Sequence, residues 1–268
     1  MSETGPGYEI RPFPLARRAI IDSGRIARRK HTISALVEVD VTGARQIIQA
    51  HREKTDEAIS FTAFILACLG QAVDRNRYIH ARRDMWGRLV LFDEVDCTTM
   101  IEIDLEGHKF PLAHIMRAIN QRSVRSIHEE IRAIQADPRK SASLQQGTPL
   151  LAAFLLLPTP IRLLVYGLMG RSPRLFKRQF GTMLMTAVGM FGVGSGWGLG
   201  GGSIYATAVM LGGIGEKPGV VNGQIAVREF LSLSVQFDHD IVDGAPAARF
   251  VARFKELIES AYGLDEYT

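Results

Sequence analysis

At 268 residues, with 46% hydrophobic and 22% charged side chains, the chain can bury a sizeable core and is too apolar to remain disordered. A net charge of +4, spread along the sequence, is too mild to argue for nucleic acid as a partner. Cys68 and Cys97 lie in apolar stretches without C-x-x-C spacing, which argues against both a disulfide framework and a zinc site, and no metal is expected.

Residues 1–14 are polar, with Pro6, Pro12 and Pro14. They read as an N-terminal arm rather than a signal peptide, so reduced thiols and a cytoplasmic location are expected. Asp22-Ser23-Gly24 is expected to shorten or interrupt any helix that runs through it from Arg17. Ser34 to Val41 alternates as a strand, and Thr42 is placed to cap the helix that follows. Ser60 similarly caps a strongly apolar helix containing Phe61, Phe64, Ile65, Leu66 and Leu69. Arg88–Phe92 and Asp96–Ile103 read as strands. Ser123 opens a helix with Val124, Ile127, Ile131 and Ile134 on one side, His128 at a solvated edge, and Asp137-Pro138 as its stop.

Residues 147–180 stand apart. Leu150 to Gly170 is almost wholly apolar, and Arg171, Arg174, Lys177 and Arg178 follow. A run of that length has the scale of a membrane span. However, Pro158 and Pro160 break it, and Arg162 places a charge near its middle. A hairpin packed on its own protein is the expected form, with a membrane-surface segment over 150–178 as the alternative.

From Gly192 a glycine-rich tract runs to Gly202. Gly196, Gly198 and Gly201 satisfy G-x-G-x-x-G, but a strand pattern follows where a dinucleotide site needs a helix, so the tract reads as a mobile loop. Asn222-Gly223 between two strand patterns predicts a type I′ hairpin. The second of those strands, with Leu231, Leu233, Val235 and Phe237 alternating, delivers His239 to its end. A helix with Phe250, Val251, Phe254, Leu257 and Ile258 on one face comes next.

A histidine aimed by a short strand-to-helix loop is well placed as a general base near neutral pH. Here it stands in Phe237-Asp-His-Asp-Ile-Val-Asp-Gly-Ala-Pro-Ala-Ala-Arg-Phe250. H-x-x-x-D-G resembles the active-site motif of the chloramphenicol acetyltransferase superfamily. The longer run, with its helix, resembles the C-terminus of dihydrolipoamide acyltransferases, the core subunits of 2-oxo acid dehydrogenase complexes. The likeness extends over roughly residues 15–262, apart from 147–180. It takes in the basic run at Arg17, the V-E-V-D-V-T ending of the first strand and Gly181-Thr-Met-Leu-Met-Thr-Ala-Val-Gly-Met-Phe-Gly192.

The resemblance implies an α/β (α+β) fold of chloramphenicol acetyltransferase type: a mixed β-sheet flanked by helices, forming one catalytic domain over 15–268. It implies CoA-dependent acyl transfer with His239 as base and Thr186 as oxyanion donor. Asp243 would hold the loop, paired with Arg17, and Gly244 would let the turn close. Coenzyme A is the expected substrate, and the acceptor is a thiol or another nucleophile. With no lipoyl domain read in the chain, a lipoyl group would come from another chain, so a lipoyl or acyl-carrier protein in trans is an expected partner. A homotrimer is implied, with the site between subunits and the histidine backed by its own main-chain carbonyl. Asp240 departs from the family arginine, and a carboxylate beside the ring would raise the pKa of His239. A weakly active or inactive trimeric scaffold, or a membrane-surface protein of the same fold, is the alternative function. The C-terminal tail, with Asp265 and Glu266 around a single aliphatic Leu264, is too polar for the apolar plug that joins trimers into cages in the family.

Overall fold

The computed structural model describes residues 3–5, 7–105, 107–141, 148–187 and 194–268. At the N-terminus β1 (Glu3–Gly5) and β2 (Tyr8–Ile10) pair only with each other among the described residues. The main sheet contains β3 (Thr32–Asp40), β6 (Cys97–Leu105), β7 (His108–Met116), β8 (Met183–Ala187), β9 (Thr207–Val221) and β10 (Gln224–Asp238). Its strand order is β3-β10-β9-β8-β6-β7. The outer pairs are antiparallel, whereas β8 runs parallel to both β6 and β9, so the sheet is mixed as expected. β4 (Arg82–Arg83) and β5 (Leu89–Val90) form a separate two-stranded sheet, so the strand expected over Arg88–Phe92 shrinks to two residues.

Helices α2 (Thr42–Thr55), α3 (Phe61–Asp74), α4 (Val124–Ala136) and α8 (Gly244–Glu259) build the core with the sheet. The middle of α3 is buried on every side from Ala63 to Gly70, which is why its sequence is apolar all round rather than striped. Phe250, Phe254, Leu257 and Ile258 of α8 pack into the same core, with Phe237 edge-on to Phe250. The hairpin turn between β9 and β10 has both central residues at positive φ, Asn222 at 51° and Gly223 at 78°, as its sequence requires.

Four local expectations change. Helix α1 (Arg17–Ala27) runs unbroken through Asp22-Ser23-Gly24, because Asp22 is fully buried against Arg162 and that contact outweighs weak helix propensity. Thr42 is the first residue of α2 rather than its cap; Asp40 Oδ1 takes up its N–H at 2.9 Å. His128 is buried, not solvated, and its Nδ1 accepts the Ser60 N–H at 3.0 Å while Ser60 caps α3. The glycine tract, from Gly194 where its description begins, is docked rather than mobile. Gly213 N–H donates to Gly196 O at 2.8 Å, and a Cβ on Gly212 or Gly213 would collide with the main chain of 194–196.

The 147–180 segment is helical: α5 (Thr148–Leu156), α6 (Thr159–Gly170) and α7 (Pro173–Phe180). No described helix is long and apolar enough to cross a membrane. Pro158 turns α5 into α6, and Phe154 meets Tyr166 edge-on at 5.2 Å, so the expected hairpin forms. Arg162 is its centre. Only 4% exposed, it pairs with Asp22 at 2.6 Å and donates to the carbonyls of Leu155 and Leu157 that end α5. Farther along, Arg82 donates to Gly170 O and lies over the Phe176 ring. Arg117 donates to the carbonyls of Lys177 and Arg178, and Thr98 and Tyr205 donate to that of Phe180. These side chains satisfy the carbonyls that helix ends leave unpaired.

Candidate active site

The long β10 strand carries His239 one residue past its end, and the main chain there is held from both sides. The His239 N–H donates to His31 O at 2.7 Å, and the Asp238 N–H donates to Ala206 O at 2.8 Å. Beneath, the buried Asp238 carboxylate pairs with Lys30 Nζ at 3.0 Å, and Lys30 also donates to the carbonyls of Ile204 and Tyr205. Burial lowers the Lys30 pKa, and the Asp238 carboxylate opposes that shift. Lys30 was missed in the sequence; its signal was the Arg28-Arg29-Lys30-His31 run that precedes β3.

The His239 side chain itself is 45% exposed, and its ring makes no hydrogen bond among the described residues. Its expected carbonyl partner is therefore not engaged within one chain. The nearest carboxylate oxygen is Asp243 Oδ1, 3.9 Å from Nδ1. Asp243 occupies the N-cap position of α8 without a side-chain cap bond, and its carboxylate is 83% exposed. A negative charge there is favoured by the helix dipole. Within one chain it makes no ion pair with Arg17, which is exposed at the start of α1 and has no ion pair among the described residues. Gly244 opens α8, and a Cβ there would meet open space; the turn has no steric need for glycine.

Asp240 is turned away from the His239 ring. Its Oδ1 accepts from His31 Nδ1 at 2.8 Å. This hydrogen bond raises the pKa of His31 and lowers that of Asp240. The charge reversal read in the sequence falls on His31, which replaces the expected coupling to His239. A cavity of ≈ 210 Å³ lies under this turn, lined by Lys30, Arg82, Arg83, Asp238, Asp240 and Ile241 among others.

Thr186 lies on β8, half-buried, with no hydrogen bond to its hydroxyl among the described residues. It is level with Met210 on β9 and so with Ser234 on β10, five residues before His239. Two strand spacings and five residue rises put the two main chains roughly 19 Å apart. One chain therefore does not bring His239 and Thr186 together. The nearby residues 188–193 lie outside the described part of the chain.

Other polar groups in the interior have structural roles. His80 is buried against Phe92 and Thr182, and burial pushes its pKa down to about 4. His114 bridges Ser141 and Glu130. Both cysteines are buried with their thiol pKa pushed up, and no metal-binding cluster occurs among the described residues.

Comparison with known proteins bears on this geometry. Residues 178–264, which include Thr186 and the His239 loop, match the family model of the 2-oxoacid dehydrogenases acyltransferase (catalytic domain). The lipoamide acyltransferase component of the branched-chain alpha-keto acid dehydrogenase complex of Bacillus subtilis is 24% identical over 87% of the chain, which spans 47% of that protein. The chain thus spans about half the length of this relative. Among solved structures, a probable dihydrolipoamide acetyltransferase from Listeria monocytogenes aligns over 96% of the chain and 97% of its own, with a TM-score of 0.69 at 17% identity. A chloramphenicol acetyltransferase aligns over 96% of the chain and all of its own, at 17% identity and a TM-score of 0.51. Residues 178–264 thus resemble in sequence the catalytic domain of the 2-oxoacid dehydrogenase acyltransferases, and the chain as a whole has the fold of that domain.

Proposed function

We propose that the protein transfers an acyl group between coenzyme A and a second thiol, in a site completed by two subunits of a homotrimer. One observation carries the reading: His239 and Thr186 each present an unbonded polar group, yet stand roughly 19 Å apart within one chain. Two copies arranged around a symmetry axis supply both groups to one site.

In that site the unprotonated nitrogen of His239 takes the proton of the attacking thiol. Nδ1 is the nitrogen nearer Asp243, which leaves Nε2 for this role. The thiolate adds to the thioester carbonyl, and the Thr186 hydroxyl of the other subunit donates to the oxygen as its charge develops. Collapse expels the second thiolate, which recovers the proton from the imidazolium. Proton and acyl group both end on new sulfurs, so no further reactant is needed. Coenzyme A supplies one thiol, and a lipoyl or acyl-carrier group on another chain is the matching second.

Mixed assembly tests the proposal. His239→Ala should abolish transfer, and Thr186→Ala should slow it about a hundredfold or more. Coassembled in equal amounts, the two inactive variants should recover roughly a quarter of the wild-type sites, since random assortment pairs an intact His239 with an intact Thr186 at that frequency. Light scattering should give a mass near three chains. Recovery that stays at zero in a trimer would refute the shared site, and a fully active His239→Ala protein would refute the base.

A further inference from the structure

Between Asp137 and Glu216 the sequence holds no acidic residue, although it carries Arg139, Lys140, Arg162, Arg171, Arg174, Lys177 and Arg178. Folding does not hide the apolar part of this stretch. Arg162 turns inward, so α6 presents Ile161, Leu164 and Leu168 outward at i, i+3 and i+7, with Leu164 63% and Leu168 58% exposed. Leu164 and Leu168 line a groove of ≈ 380 Å³ with Pro160, Leu163 and Gly167, and Arg29 and Arg171 also border it. Past Arg171 the surface continues into a second depression that includes Arg83, Met85 and Gly87. Trp86, at the tip of the β4–β5 turn, is 74% exposed beside it.

Arg29, Arg83 and Arg171 make no ion pair or side-chain hydrogen bond among the described residues. The one carboxylate in these depressions, Asp84, is already bonded to Arg88 and to the turn's own N–H groups. Exposed leucines, a tryptophan at a turn tip and the unpaired guanidiniums of Arg29 and Arg171 thus share one surface, with Arg83 at its edge beside Asp240. Their chemistry is that of a segment lying in the headgroup region of a bilayer, where aliphatic side chains enter the acyl boundary and arginines meet phosphate. Indole rings favour the same depth.

We propose that the α6 face, with the β4–β5 turn, docks the protein on an anionic lipid surface. The charge complementarity selects this occupant over a second copy of the chain, whose corresponding face would bring arginines against arginines. The proposal is independent of the catalytic reading: it places the protein at a membrane without inserting it.

Sedimentation of the full-length protein with phosphatidylcholine vesicles, and with vesicles in which a third of that lipid is phosphatidylglycerol, tests it. The anionic vesicles should bind at least about tenfold more protein, and raised salt should release it. Arg171→Gln should lower partitioning about fivefold, the equivalent of one phosphate contact. Leu164→Gln combined with Leu168→Gln should lower it further while the far-ultraviolet circular dichroism is unchanged. Equal retention on neutral and anionic vesicles overturns the proposal, as does binding indifferent to these substitutions. If the leucine variants instead change the mass of the lipid-free protein by light scattering, the face is a contact between copies and the lipid assignment is wrong.

Discussion

The β9–β10 hairpin and the α5–α7 segment are of similar length but are held by different forces. The hairpin is fastened by an antiparallel main-chain ladder and an apolar face under α8. The helical segment rests on a few polar side chains from elsewhere: Asp22 on Arg162, Arg82 on Gly170, Arg117 on the end of α7. A ladder spreads its stability over many bonds that substitutions do not remove. A handful of charged anchors concentrates it, and the loss of one partner strands a buried charge. The difference teaches that the helical segment is the one that single changes can loosen while the sheet remains intact.

Four substitutions sharpen that contrast. Phe254→Ala, in the core beneath the hairpin, should cost about 3–5 kcal/mol and lower the midpoint of the whole unfolding transition. Denaturant unfolding followed by fluorescence and by circular dichroism should show both signals moving together.

Arg162→Met should act locally. It leaves the buried Asp22 with only its longer contact to Arg25 at 3.6 Å, so amide exchange and protease cleavage should accelerate over residues 148–180 while β9 and β10 keep their protection. Adding Asp22→Leu should restore part of that protection, because no buried charge then remains. Equal acceleration in both regions would erase the distinction drawn here.

The smallest effect belongs to Asp240→Asn. His31 has a raised pKa in the folded protein, so its pairing with Asp240 contributes below the ordinary histidine range and is lost as pH rises through the raised value. Removing the carboxylate should lower the His31 pKa, read by nuclear magnetic resonance. It should leave the rising limb of the pH–rate profile in place, since the carboxylate faces His31 rather than the His239 ring. A rising limb displaced to lower pH would return Asp240 to the His239 ring.

Much of the C-terminal part was legible because its signals are local. Asn222-Gly223 needs only its own backbone to make a turn, and the alternation from Leu231 to Phe237 is a property of one strand. The H-x-x-x-D-G run fixed the place of His239 for the same reason. What could not be read depends on partners far along the chain. Asp22 looks like a helix breaker until Arg162, 140 residues away, is seen against it. Asp240 looks like a neighbour of His239 until His31 is found to take its carboxylate. The glycines at 212 and 213 read as flexibility, yet they let the 194–196 main chain approach closely. β7 went unread, because an edge strand containing His108, Pro111 and His114 lacks clean alternation.

The chain's last residues have a consequence for growth. Leu264 is wholly buried in the protein's own core, and Tyr267 sits between His51, edge-on at 5.0 Å, and the Arg125 guanidinium. Folded back in this way, Leu264 and Tyr267 are committed to the protein's own interior, and a neighbouring copy could take up neither without first drawing it out of that core.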